Sequence, residues 1–97
     1  MREQAFEIFL KQEPSITSDN AVVYRIAKAR KVEELLGASL DDVVSDDRRM
    51  YDALLELAQH ESSKHNRLQN SLRKYYKFRN NQEFPSMRTY RASLCTN

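Results

Sequence analysis

Ser18-Asp19-Asn20-Ala21-Val22-Val23-Tyr24-Arg25-Ile26-Ala27-Lys28-Ala29-Arg30-Lys31-Val32-Glu33-Glu34-Leu35-Leu36-Gly37 reads as one helix with both of its ends marked. Thr17 or Ser18 can cap it by accepting a backbone N–H, and Asp19 in the first turn complements the helix dipole. Gly37, the only glycine of the chain, stands where a left-handed C-cap is wanted. Val22, Ile26, Ala29, Val32 and Leu36 recur at helical spacing and form the buried stripe. Tyr24, Lys28 and Lys31 lie together on another face.

Outward from this helix the same reading continues. One glycine and two prolines in 97 residues are too few for the tight turns of a small sheet protein, so the whole chain is expected to be all-α. Ala5, Phe6, Phe9 and Leu10 predict a first helix over about 3–12, which Pro14 terminates. Leu40 to Val44 is a connector with a short helical turn that sinks Leu40 and Val43. A third helix over about 46–59 buries Met50, Leu54, Leu57 and Ala58 and exposes Arg48, Arg49, Asp52 and Glu56. Ser62 or Ser63 caps a fourth over about 63–80, with Leu68, Leu72, Tyr75 and Tyr76 inside. Residues 81–97 have no sustained period and are expected to be a tail or linker into which Phe84, Met87 and Tyr90 can fold back.

Several function classes are excluded at this stage. The single cysteine, Cys95, leaves no disulfide scaffold and no multi-cysteine zinc pattern. His60 and His65 are five residues apart and miss the spacing that would bring two ligands to one helical face. Asp41, Asp42, Asp46 and Asp47 read as helix-capping acids rather than a magnesium site, because no glycine-rich phosphate loop accompanies them. No apolar run reaches the length of a membrane span, and Glu3 and Glu7 interrupt the segment where a signal peptide would be apolar. The sequence therefore predicts a cytoplasmic protein that is not an enzyme, with no cofactor, no metal, no membrane contact and no small-molecule substrate.

Charge distribution points to a partner. The net +2 conceals two basic against four acidic residues over 1–20, four against two over 21–36, two against seven over 37–61, and eight against one over 62–97. The C-terminal third is strongly basic, which is a property of partners rather than of fold. Its helix interleaves Lys64, Arg67, Arg73, Lys74, Lys77 and Arg79 with Asn66 and Asn70 and contains no acid, so no salt bridge within the helix neutralises it. Such a helix fits the major groove of double-stranded DNA, where lysine and arginine neutralise phosphates and Arg67, Asn66, Asn70 or Arg73 reach base edges. A helical interaction protein, such as a phage or plasmid accessory factor docking an acidic partner through the same helix, is the alternative. The two are separated by the acids of Asp41 to Asp47, which must keep away from the cations of the second and fourth helices if DNA binds there; acids covering Arg67 and Lys74 would favour the alternative.

The order of these pieces resembles a known family, the N-terminal core-binding, SAM-like domain of tyrosine recombinases and phage integrases. The resemblance is carried by Phe6–Leu10 (FEIFL), Ser15–Tyr24 (SITSDNAVVY), the Leu40–Val44 connector and above all Asn66–Phe78 (NRLQNSLRKYYKF), and it covers about residues 3–80. A similar four-helix module is attached to some restriction-type nucleases, and Arg30–Glu33 with Gly37–Asp41 resembles that branch as well. The resemblance implies an orthogonal four-helix bundle over residues 1–80 that clamps one side of a duplex, with the second and fourth helices facing it and other recombinase protomers as further partners. By position it assigns DNA contacts to Lys28 and Lys31 and to Lys64, Arg67, Arg73, Lys74 and Lys77. It also implies a catalytic domain beyond a linker that would begin where this sequence ends. The chain is thus expected to be a recombinase or nuclease fragment or a stand-alone binding protein, and Tyr75 and Tyr76, being in the core pattern, are not nucleophiles.

Overall fold

The computed structural model describes residues 1–14, 16, 18–61 and 66–95; among these, six helices and no strand occur. Helix α1 spans Glu3–Gln12, α2 Asp19–Leu36, α3 Leu40–Val44, α4 Asp47–His60, α5 Arg67–Asn80 and α6 Met87–Cys95. None is long and apolar enough to cross a membrane.

The ends of these helices follow from local chemistry. Ser18 sits in extended backbone and its side chain accepts from the Ala21 N–H at 3.2 Å, while Gly37 closes α2 at φ +64°. Thr17, the other expected cap, lies outside the described residues, as do Ser62 and Ser63. Ser39 and Asp46 cap α3 and α4 by accepting from the N–H groups of Asp41 and Arg48. The first N–H groups of α5 go instead to Glu61, whose carboxylate accepts from Leu68 and Gln69. Asn81 ends α5 in the left-handed region at φ 59°, the only described non-glycine residue to adopt it.

One core joins the first five helices, and Met87 and Tyr90 of α6 pack against it. Phe6 and Leu10 of α1, Val22, Ile26, Ala29 and Val32 of α2, Leu40, Val43 and Val44 of α3, and Met50, Leu54 and Leu57 of α4 close around Leu68, Leu72, Tyr75 and Tyr76 of α5. The expected stripes are largely present, with two corrections in α4: Ala58 is exposed, and Tyr51 and Ala53 are buried in its place. Ala5 is also exposed, and Phe9 and Leu36 are half-buried.

Phe6, Phe9, Tyr75 and Phe78 form a contiguous aromatic group, with ring centroids 5.0 Å apart for Phe6–Tyr75 and 5.5 Å for Phe9–Phe78. A second series runs from Tyr76 through Phe84 and Tyr90 to Tyr51, with successive centroids 5.1, 5.2 and 5.1 Å apart. Through it the aperiodic segment after residue 81 turns back onto the bundle, with Phe84 buried and Tyr90 of α6 against Tyr51 of α4. Among the α6 side chains described, Met87 and Tyr90 are half-buried and the others exposed, so no buried stripe marks that part of the helix in the sequence.

Candidate nucleic-acid interface

Helices α2 and α5 pack along one another, and the residues flanking their buried stripes line a groove on the surface. It has two hollows. One, about 480 Å³, lies between Asn20, Ala21 and Tyr24 of α2 and Arg67 and Ser71 of α5. The other, about 270 Å³, is bounded by Arg73, Lys74, Lys77 and the Glu83–Phe84 segment. Arg25 and Asn70 line both and sit where the hollows meet.

Tyr24 organises the first hollow. Its half-exposed ring has Lys28 Nζ 5.1 Å from the centroid and the Arg67 guanidinium carbon at 5.7 Å, both within cation–π range. Arg67 Nη1 also donates to the Tyr24 hydroxyl at 2.9 Å, fixing the guanidinium at the groove wall. Asn66 and Asn70 are joined by a 3.3 Å side-chain hydrogen bond on the same edge of α5. None of the ion pairs among the described residues involves Arg25, Lys28 or Arg67.

The second hollow is different in kind. Lys74 and Lys77 both reach Glu13, which is 8% exposed, at Nζ–Oε1 distances of 3.4 and 3.1 Å. Burial pushes the Glu13 carboxyl up, but the hydrogen bonds and charges of Lys77 and Lys74 outweigh it and hold the group below its ordinary value. Arg73 turns toward the C-terminal segment and donates to the carbonyl oxygens of Phe84 and Pro85 at 3.1 and 3.2 Å. Its burial lowers the guanidinium pKa, against the attraction of Glu83. Arg79, at the end of the helix, pairs with Asp41 at 3.2 Å.

These contacts come from outside the helix. The basic helix has no acid of its own, yet Lys74 and Lys77 share the carboxylate of Glu13 from the α1–α2 loop, and Arg79 pairs with Asp41 of α3. Of the expected DNA-contacting residues, Lys28, Asn66, Arg67 and Asn70 come together on the groove edge. Lys31 pairs with Glu34 at 3.8 Å and lines neither hollow. Arg73 is engaged with backbone carbonyls, and Lys64 lies outside the described residues. Arg25, absent from the expected set, lines both hollows; its sequence signal was a cation beside Tyr24 and one turn before Lys28. Glu13 carried no signal, since an acid before Pro14 reads as part of a loop.

Of the connector acids, Asp41 meets the basic helix at Arg79, against the expectation that these acids keep away from its cations. The Tyr75 hydroxyl donates to Asp41 at 2.6 Å, the Tyr76 hydroxyl to Asp47 at 2.7 Å, and Asp46 caps α4. None of them pairs with Arg67, whose contacts are with Tyr24. Burial and these hydrogen bonds push both tyrosines up to about 12. Among the described residues no group of three His, Cys, Asp or Glu side chains could hold a metal ion. In comparisons with known proteins, no protein-family model, no curated protein and no solved structure matches the chain.

Proposed function

We propose that the chain is a non-catalytic module that binds double-stranded DNA through the α2–α5 groove, arranged as an orthogonal, SAM-like bundle like the core-binding domain of tyrosine recombinases, and acting in the cytoplasm. The observation that carries this reading is the row of Arg25, Lys28 and Arg67, cations with no carboxylate partner among the described residues. They flank Asn20, Asn66 and Asn70, whose amides suit base edges and phosphate oxygens alike. Arginine presents a planar fork to phosphate, and Tyr24 holds that of Arg67 in position before any ligand arrives. Further support comes from the engagement of Asp41, Asp46 and Asp47 away from Arg67.

Three such cations neutralise about three phosphates, so the logarithm of duplex affinity should fall against the logarithm of salt with a slope of about −3. Fluorescence anisotropy of a labelled duplex at several salt concentrations reads the slope. Arg25→Glu with Arg67→Glu should abolish binding at low salt; unchanged binding by that variant rejects the reading. Glu13 on Lys74 and Lys77 favours a second reading, an acidic protein partner, in that a carboxylate already docks on α5. Equal affinity for duplex and for polyglutamate would select it.

A further inference from the structure

Glu13 occupies a place that its own sequence neighbourhood does not explain. It stands after the last turn of α1, donates its backbone N–H to the Leu10 carbonyl, and is one of only two polar or charged side chains in the buried set of the described residues. Its carboxylate crosses to α5 and is gripped by Lys74 and Lys77, which are one turn apart on the wall of the second hollow. Two ammonium groups about one carboxylate leave an excess positive charge facing the groove. A backbone phosphate presents the same thing as a carboxylate to such a pair, oxygen acceptors bearing a negative charge.

Resting on the duplex reading, we infer that Lys74 and Lys77 form a second phosphate subsite, continuous through Arg25 with the Tyr24–Arg67 hollow, and that Glu13 is its built-in competitor. In the unliganded chain the carboxylate satisfies the two lysines, so a phosphate gains from them only by displacing it. The groove therefore grips a strand through Arg25, Lys28 and Arg67 and holds two more contacts in check. Lys74 makes a further interaction besides those with Glu13, and the subsite rests on the geometry of the pair rather than on either lysine being free.

The test is Glu13→Gln, which keeps the shape and an acceptor oxygen but removes the charge; circular dichroism verifies that it is folded. Its duplex affinity at about 0.1 M salt should rise roughly tenfold, and its salt slope should steepen by about 2, as two further phosphates are neutralised. Adding Lys74→Gln and Lys77→Gln to it should erase the gain. Independently of that substitution, Lys74→Gln with Lys77→Gln in the otherwise unchanged chain should lower affinity by a clearly smaller factor than Arg25→Gln with Arg67→Gln, which should lower it at least tenfold. Equal losses from the two pairs overturn the inference. So does an unchanged slope in Glu13→Gln when the parent chain binds with a slope near −3, an outcome that leaves the duplex reading intact. If neither protein binds duplex at low salt, both fall together. An equal gain for polyglutamate assigns the subsite to acidic protein and overturns the phosphate assignment.

Discussion

Tyr75 and Tyr76 are adjacent, both nearly inaccessible, and each hydroxyl ends on a different aspartate. Tyr75 also accepts the Arg2 N–H at 2.9 Å, so one phenol links the start of α1 to α3. Burial and the neighbouring carboxylates disfavour phenolate and push both groups up to about 12. A tyrosine ionises at about 10 in the unfolded chain, so the folded state holds these two protons more tightly. The stability this confers is complete below pH 10 and is lost as pH rises from 10 through 12. Ultraviolet titration should therefore show two of the five tyrosines ionising late, together with alkaline unfolding; five ordinary titrations would reject the assignment. Tyr75→Phe should cost about 2 kcal/mol in urea unfolding, since it takes one of the donors from the Asp41 carboxylate and leaves the Arg2 N–H unmet. The sequence placed both rings in the core correctly. It held no sign of their acceptors, because a hydroxyl's partner is set by which helix crosses above it and not by its own helical period.

The helix ends separate what is local from what is not. Limits of α1, α2 and α4 were legible to within a residue, since Pro14, Ser18, Gly37 and Asp46 act on the backbone groups nearest to them. Helix α5 begins later than its expected start near 63, and the carboxylate that satisfies Leu68 and Gln69 comes from Glu61 at the end of the preceding helix. Such a cap depends on the angle between two helices, which no spacing rule encodes. Gly37 offers the cleanest measurement at this scale. Its φ of +64° is left-handed, and a Cβ built on it meets nothing within 4 Å. The cost of Gly37→Ala is thus conformational alone, about 1 kcal/mol. Denaturant unfolding that gives about 3 kcal/mol or more would mean that the end of α2 moves on substitution, and that the open space beside Gly37 is filled in solution.

Across the whole molecule, charge counted along the chain misjudged what the folded surface offers. The basic C-terminal third keeps little of its excess at the groove: Glu13 takes Lys74 and Lys77, Asp41 takes Arg79, and Arg73 is spent on two carbonyls. Arg25, from a segment of modest charge, is what remains at the centre of the groove. The contacts of Arg73 tie this surface to the C-terminal segment, because the residue that lines the second hollow also holds the backbone that carries Phe84 into the core. Phe84 is 4% exposed and its ring connects Tyr76 of α5 to Tyr90 of α6, while Arg91 Nε donates to the Tyr51 hydroxyl at 3.0 Å. The remaining side chains that α6 is seen to bring, Met87 and Tyr90, are only half-buried, so its docking depends on that ring. Phe84→Ala should therefore cost about 3 kcal/mol, the usual cost of emptying a buried aromatic site. The loss should be uneven. Hydrogen exchange should show the amides of α6 opening at a small fraction of the global unfolding free energy, while those of α2 and α5, buried against each other, remain the slowest. If instead α6 keeps its protection, its hold on the bundle lies in Tyr90, Arg91 and Tyr51, and the aromatic series through Phe84 is not what fastens the C-terminal segment to the groove.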